Sequence, residues 1–304
     1  MKRLISYIEF FRKFGAINSF HRIINHYRVW EFPNNPKVTT FKTSITDDTE
    51  HAGYSALCSK ATHDDQTFSK FRSCISMVDV LDHVTIEQGK LYLKVILEQY
   101  PSLVDQNTLK AIKRIDSFGS PLKWYFPKVG TMSPTLLRYL KVYGDLERLF
   151  GPISNFHIAE IGIGFGGQTA VTATFGAKSF ALFDLPEVLS LAKKFISQVN
   201  VLATIDSRDG RDPISHTPDL VVSNYAFSEL SRELQQRYLT SVILNSSRGY
   251  ITWNNSAEDK LGGYSLAELL RVIPNSQILP EIPLTSTFNS IIVWGHRHEK
   301  NIND

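Results

Sequence analysis

Cysteine is scarce: Cys58 and Cys74 are the two such residues in a chain of 304. They show no metal-ligand spacing and build no disulfide framework, so both read as ordinary partly buried thiols in a reducing compartment, the cytoplasm. Long apolar runs are missing as well. No stretch approaches the roughly 18 consecutive apolar residues that a membrane span takes. The first residues do not form a signal peptide, because Glu9, Arg12 and Lys13 interrupt any apolar core and no small-residue cleavage site follows. Charge of one sign is not in excess either. Lys and Arg number 33 against 30 Asp and Glu, a net +3, which lacks the clustered surplus of a nucleic-acid binder. There is no internal repeat and no low-complexity segment. At 42% hydrophobic and 21% charged residues the chain has the composition of a soluble globular protein, long enough for two domains or one elaborated domain.

What is present centres on residues 155–187. Phe156 to Ile161 is a short apolar run ending in a turn signal, the pattern of a buried strand. Gly162-Ile163-Gly164-Phe165-Gly166-Gly167 follows at once, then a helix from Gln168 to Phe175 and a second apolar run from Ser179 to Phe183, with Asp184-Leu185-Pro186 at its end. In doubly wound sheets a strand, glycine loop, helix and second strand tipped by an acid bind a nucleotide-like ligand, and the acid accepts hydrogen bonds from ribose hydroxyls.

Two ligand classes fit this grammar. Gly162, Gly164 and Gly167 satisfy G-x-G-x-x-G, and Asp184 lies 22 positions beyond Gly162, which keeps an NAD(P)-dependent oxidoreductase open. Against it, Glu160 stands where a dinucleotide fold usually has an apolar residue. The E-x-G-x-G pattern with its tip acid resembles class I S-adenosylmethionine (SAM) methyltransferases. A glycine-rich turn with no ligand is the bland alternative.

Upstream, Leu4, Ile5, Ile8, Phe11 and Phe14 fall at helical spacing among basic residues. That helix packs on its own domain or, alternatively, touches an anionic membrane surface. Residues 29–79 carry little pattern: a loop at Pro33 to Pro36, a polar stretch from Thr39 to Glu50, and His51, His63, Asp64 and Asp65 in no metal-binding arrangement. Helices are predicted over Thr85–Tyr100, with Ile86, Leu91, Leu93, Val95, Ile96 and Leu97 apolar, and over Gln106–Ile115 with Asp105 as N-cap. Gly119 to Lys128 is a loop or lid candidate, its Trp124, Tyr125 and Phe126 available for stacking on a sugar or adenine, or for core packing. Ser133-Pro134 starts a helix with one apolar stripe, ended by Gly151-Pro152. A mainly helical N-terminal region, 1–150, therefore precedes an α/β domain, 151–304.

Within that domain the alternation continues. A helix over Glu187–Gln198 leads to a third strand, Val199–Ile205, with Asp206-Ser207 at its tip, and then to a fourth, Asp219–Ser223. A helix over Ser231–Asn245, a strand over Gly249–Trp253 and a short helix over Leu266–Ile273 follow. The last two strands, Ser276–Pro280 and Asn289–Trp294, are joined closely enough to form a hairpin, so the final strand runs antiparallel to the rest. Ligands bind at the carboxyl edge of such a sheet. That edge gathers the glycine loop, Asp184, Asp206, Asn224 to Glu229, Trp253 to Asn255 and Glu281 to Thr285. His157, His216, His296 and His298 fall at the opposite edge.

EIGIGFGGQ, the FDLPE tip, SNYAFSELSRELQQRYL and SSRGYITWNN, preceded by SPTLLRYLKVYGDLERLFG, resemble the bacterial sugar O-methyltransferases of surface-polysaccharide clusters over residues 130–255. The resemblance implies a Rossmann-like seven-stranded class I methyltransferase sheet with an antiparallel last strand. It also implies SAM as cofactor, S-adenosylhomocysteine (SAH) as product, and a sugar or nucleotide-sugar acceptor. The SAM site would comprise Glu160, Gly162, Gly164, Gly166 and Gln168 at the loop, Asp184 and Leu185 at the ribose, Asp206 and Ser207 at the adenine, and Asn224. A sugar hydroxyl is a weak nucleophile, so a general base or a metal should take its proton. Glu229 is the candidate base, though an acid there also suits a helix N-terminus. Tyr225, Asn224, Asn254 and Asn255 are candidates to orient the acceptor. Asp206, Glu229 and Glu258 offer oxygens to Mg²⁺, but no spacing enforces a site and none is assigned. A non-catalytic SAM-binding scaffold and a homo-oligomer stay open.

Overall fold

The computed structural model describes residues 2–32, 52–211, 217–255 and 262–296. The loop and polar stretch at 33–50, His51, His216, Glu258 and His298 lie outside them, as do the side chains of Leu4, Ile5 and Ile8. Among the described residues, no helix is long and apolar enough to cross a membrane.

The sheet is built as its composition dictates. β3 (His157–Ile161), β4 (Ser179–Asp184), β6 (Leu220–Asn224) and β7 (Gly249–Trp253) are apolar runs buried on both faces, the mark of parallel strands covered by helices. With β5 (Thr204–Asp209), β8 (Gln277–Pro280) and β9 (Ser290–Trp294) they form seven strands in the order β5-β4-β3-β6-β7-β9-β8. β9 runs antiparallel to both β7 and β8, so the expected terminal reversal is present. Successive side chains alternate between two cores. Ile158, Phe180, Leu182 and Val222 face one, and Ala159, Ala181, Phe183 and Val221 the other. Helices α8 (Gly167–Thr174) and α9 (Pro186–Val199) cover the first face; α10 (Arg232–Tyr238) and α11 (Leu266–Val272) cover the second. α10 continues into a π-helical turn, Leu239–Ile243.

The first core runs without a break into the N-terminal region. There α1 (Lys2–Arg28), kinked at Gly15, is followed by α2 (Ala52–His63), α3 (Asp65–Phe68), α4 (Ile75–Val80), α5 (Ile86–Gln99) and α6 (Gln106–Lys113). Four of these go beyond the sequence pattern: α2 to α4 lie in the stretch of little pattern, and α1 extends well past Phe14. Asp64 caps α3, and Asp65 pairs with Lys194 at 2.8 Å. α5 has its capping box at Thr85 and Gln88, but Leu91 is exposed and Tyr92 takes the inward position. The lid candidate is a two-stranded hairpin, β1 (Trp124–Phe126) with β2 (Gly130–Met132). Phe126 is fully buried and Trp124 packs on Phe10, so these aromatics serve the core. α7 (Pro134–Phe150) is capped by Ser133 as expected, yet it is buried on nearly every side, not along one stripe.

The interior at the start of α7 holds a paired charge cluster. The Arg72 guanidinium donates to both Asp82 carboxylate oxygens, at 2.9 and 3.0 Å, and to Asp116 at 3.0 Å. Asp116 in turn accepts from the Ser133 backbone N–H and hydroxyl at the cap of α7. Removing one member of a buried ionic group strands the others in low dielectric. Arg72→Met is expected to lower unfolding free energy by about 3–5 kcal/mol, read as a drop in urea midpoint. A loss under ~1 kcal/mol would show that water reaches Asp82 and Asp116.

Candidate active site

The parallel ladder ends at Ile161, and Gly162 turns the chain at φ 75°. A Cβ there would lie 1.9 Å from that of Ala226, so the loop after β3 passes against the loop after β6 only because position 162 lacks a side chain. Asp184 ends β4 beside this turn. Its carboxylate accepts from the Gly164 N–H at 3.1 Å and the Leu185 N–H at 2.8 Å. Burial raises its pKa to about 7, against the pull of these backbone donors. Gly210 N–H donates to the Asp184 carbonyl at 2.6 Å, which brings the tip of β5 alongside.

These groups line a cavity of about 340 Å³ that follows the strand tips from β5 to β7. Under β4 and β5 its wall is Gly162, Gly164, Asp184, Leu185, Gly210 and Tyr238; under β6 and β7 it is Asn224, Tyr225, Glu229 and Asn254. The Asn254 amide donates to Glu229 Oε1 at 2.9 Å, and the Asn254 N–H donates to the Ser228 hydroxyl at 3.0 Å. Tyr225 holds φ 68°, a conformation costing a side-chain-bearing residue about 1–3 kcal/mol and found mostly at functional sites. Its hydroxyl donates to the Glu281 carboxylate, and burial keeps the phenol neutral far above its ordinary range. The N-terminal region adds Tyr54, Leu81, His83, Gln88, Tyr92 and Arg138, and the segment before β9 adds Thr285, Ser286 and Asn289. Burial, aided by Arg138, pushes the His83 imidazole down to about 4.

The structure therefore brings together Gly162, Gly164, Asp184, Leu185, Asn224, Tyr225, Glu229 and Asn254. It places five other expected residues elsewhere. Glu160 points beneath α8, where its carboxylate accepts from the Thr169 hydroxyl at 2.5 Å. Gly166 is the left-handed N-cap of α8 and backs onto Ile196. Gln168 is buried and donates to the Tyr139 carbonyl. Asp206 and Ser207 lie in mid-strand, because Asn200 caps α9 in the left-handed region and β5 begins only at Thr204. Asp206 pairs there with Arg208 at 2.7 Å, and the true tip is Asp209, in register with Asp184. Of the proposed Mg²⁺ ligands, Glu229 lines the cavity and Asp206 does not. His157 opens β3 and His296 follows β9, at the opposite edge as expected. His83, Tyr92 and Arg138 line the cavity with no motif to announce them. The one sequence signal was a basic residue between Leu137 and Tyr139, on a helix otherwise rich in inward-facing apolar groups.

Strand order, the reversed β9 and a glycine loop at the first parallel strand are together the topology of class I SAM-dependent methyltransferases. No protein-family model matches the chain, and no curated protein matches it. Several solved structures are remotely similar. Protein 1320 of Thermoplasma acidophilum is 17% identical over 62% of this chain and 95% of its own, with a TM-score of 0.38. The ribosomal protein L11 methylase of Lactobacillus delbrueckii subsp. bulgaricus is 14% identical over 45% and 68%, at 0.33. The O-methyltransferase NcsB1 of neocarzinostatin biosynthesis, solved with SAM, is 15% identical over 53% and 57%, at 0.35.

Glu160 gives a stability test of its own placement. Burial raises its pKa from 4.5 to about 8, so the folded protein holds a proton that the unfolded chain releases. The linked stability is whole below pH 4.5 and is lost as pH rises through about 8. Glu160→Gln stays uncharged and can still accept from Thr169. Relative to wild type, its unfolding free energy is expected to climb between pH 5 and 8 with a limiting slope of about 1.4 kcal/mol per pH unit, and its melting temperature to rise with it. Parallel melting curves for the two proteins would contradict a buried, protonated Glu160.

Proposed function

We propose that the chain is a SAM-dependent O-methyltransferase acting on a sugar hydroxyl, in a nucleotide sugar or a surface-polysaccharide glycan. The observation that carries this is a single cavity joining the glycine loop and Asp184 to the Glu229–Asn254 pair. The cofactor half fits its ligand. Gly162 and Gly164 present bare backbone, Asp184 presents a carboxylate for ribose hydroxyls, and the buried Asn224 Oδ1 has no protein partner and can accept from the ligand. Gly210 and Arg211, which follow the true end of β5 and line the cavity, take the adenine side in place of Asp206 and Ser207. When bound, SAM supplies an activated methyl group.

The protein's share of the reaction is alignment and proton removal. Glu229 takes the hydroxyl proton, and the Asn254 amide fixes the carboxylate that receives it. Tyr225 cannot serve as base, because its hydroxyl is committed to Glu281 and stays neutral; it shapes the acceptor wall. The polar groups Gln88, Thr285, Ser286 and Asn289 around that wall suit a hydroxyl-rich acceptor. Residues 1–150 cap the acceptor side, and 151–304 bind the cofactor and carry the catalytic pair. Two buried free cysteines fit an enzyme of the cytoplasm.

Glu229→Gln separates these roles. Labelled-methyl transfer to a panel of nucleotide sugars is expected to fall by roughly 10²-fold or more, while SAH affinity stays within about twofold of wild type. Undiminished turnover would remove Glu229 from the mechanism.

A further inference from the structure

Three basic side chains are buried among the described residues: Arg72, Lys141 and Arg138. The first two have carboxylate partners within 3.0 Å, Asp82 and Asp116 for Arg72 and Asp145 for Lys141. Arg138 has none. It is 6% exposed, makes no ion pair with any described carboxylate, and leaves its Nε buried without a hydrogen-bond partner. Its neighbours are the Leu81 carbonyl, which accepts from Nη2 at 3.2 Å, the Tyr139 phenol, the Tyr225 ring, Tyr92 and His83, none of them a carboxylate. Glu281, which could have served as counter-ion, is held by the Tyr225 hydroxyl and by Thr285. A buried guanidinium is costly unless paired, and its planar fork matches carboxylate and phosphate oxygens. Arg138 also lines the cavity.

We propose that Arg138 is the receiving group for a carboxylate or phosphate of a ligand bound in this cavity. Two sources share that chemistry: the amino-acid carboxylate of the cofactor, and an acidic or phosphorylated acceptor. The inference deepens the methyltransferase reading and rests on it for the first source only.

Calorimetry on full-length wild type, Arg138→Met and Arg138→Lys distinguishes the sources. The titrants are SAH, 5′-methylthioadenosine, which lacks the amino-acid end, and inorganic phosphate added with or without saturating SAH. If the cofactor supplies the anion, Arg138→Met loses tenfold or more in SAH affinity, keeps its 5′-methylthioadenosine affinity, and is partly rescued by Arg138→Lys. If the acceptor supplies it, SAH binding is unchanged, and phosphate binds the SAH complex of wild type but not of Arg138→Met. SAH binding unchanged in Arg138→Met, with no phosphate binding that depends on Arg138, overturns the proposal. Wild type that binds neither SAH nor 5′-methylthioadenosine refutes the methyltransferase reading; Arg138-dependent phosphate binding to the ligand-free protein would still support the anion site. Ligand-free Arg138→Met is expected to melt no lower than wild type, since it sheds a buried charge that has no counter-ion.

Discussion

The close approach of Gly162 to Ala226 is the constraint on which the site depends. Strands β3 and β6 are parallel neighbours, so their chains leave the sheet at the same edge and side by side. A Cβ on residue 162 would overlap that of Ala226, and nothing short of moving the β6 loop would relieve it. With glycine there, the two loops meet, Asp184 folds over the first, and Asn224 to Glu229 emerge beside it. The Ala226 methyl fills the space that a side chain on residue 162 would take, so the two loops meet at the edge of the cavity.

The N-terminal helices close what the sheet leaves open. Leu81, at the end of α4, sits where a side chain on Gly164 would lie, and the next residues bring His83 and Val84 into the wall. Their position is set by the Arg72 ion group, since Asp82 is one of its members and the cap of α7 another. A charge cluster inside the helical region therefore determines the far side of a pocket built by the sheet. α7 connects the two: it carries Arg138 into the cavity and Lys141 and Asp145 into the interior, then leads into β3.

Much of this fold was legible in the residues. Ser133-Pro134, Thr85 and Asp105 announce helix starts by chemistry that acts within one turn, and Gly249–Trp253 reads as a buried strand with its correct ends. β5 was misplaced because it is an edge strand, Thr-Ile-Asp-Ser-Arg-Asp, whose polar residues face solvent and erase the apolar signal. Asp206 and Ser207 were misassigned for that reason. Glu160 was read by motif position alone, and only the pleat, which turns it beneath α8 with Ile158, reveals its separate role. His83, Tyr92 and Arg138 reach the cavity from sequence positions far from the glycine loop, and no local pattern links them to it. Leu91 and Tyr92 differ by one step on a helix, enough to exchange inside for outside.

The most direct measurement is a calorimetric titration of the full chain with SAH and, in parallel, with NAD⁺, using wild type and Asp184→Ala. Saturable SAH binding that the substitution abolishes, with no NAD⁺ binding, is the expected result. NAD⁺ binding that depends on Asp184, or no SAH binding by wild type, would contradict the assignment of this cavity to SAM.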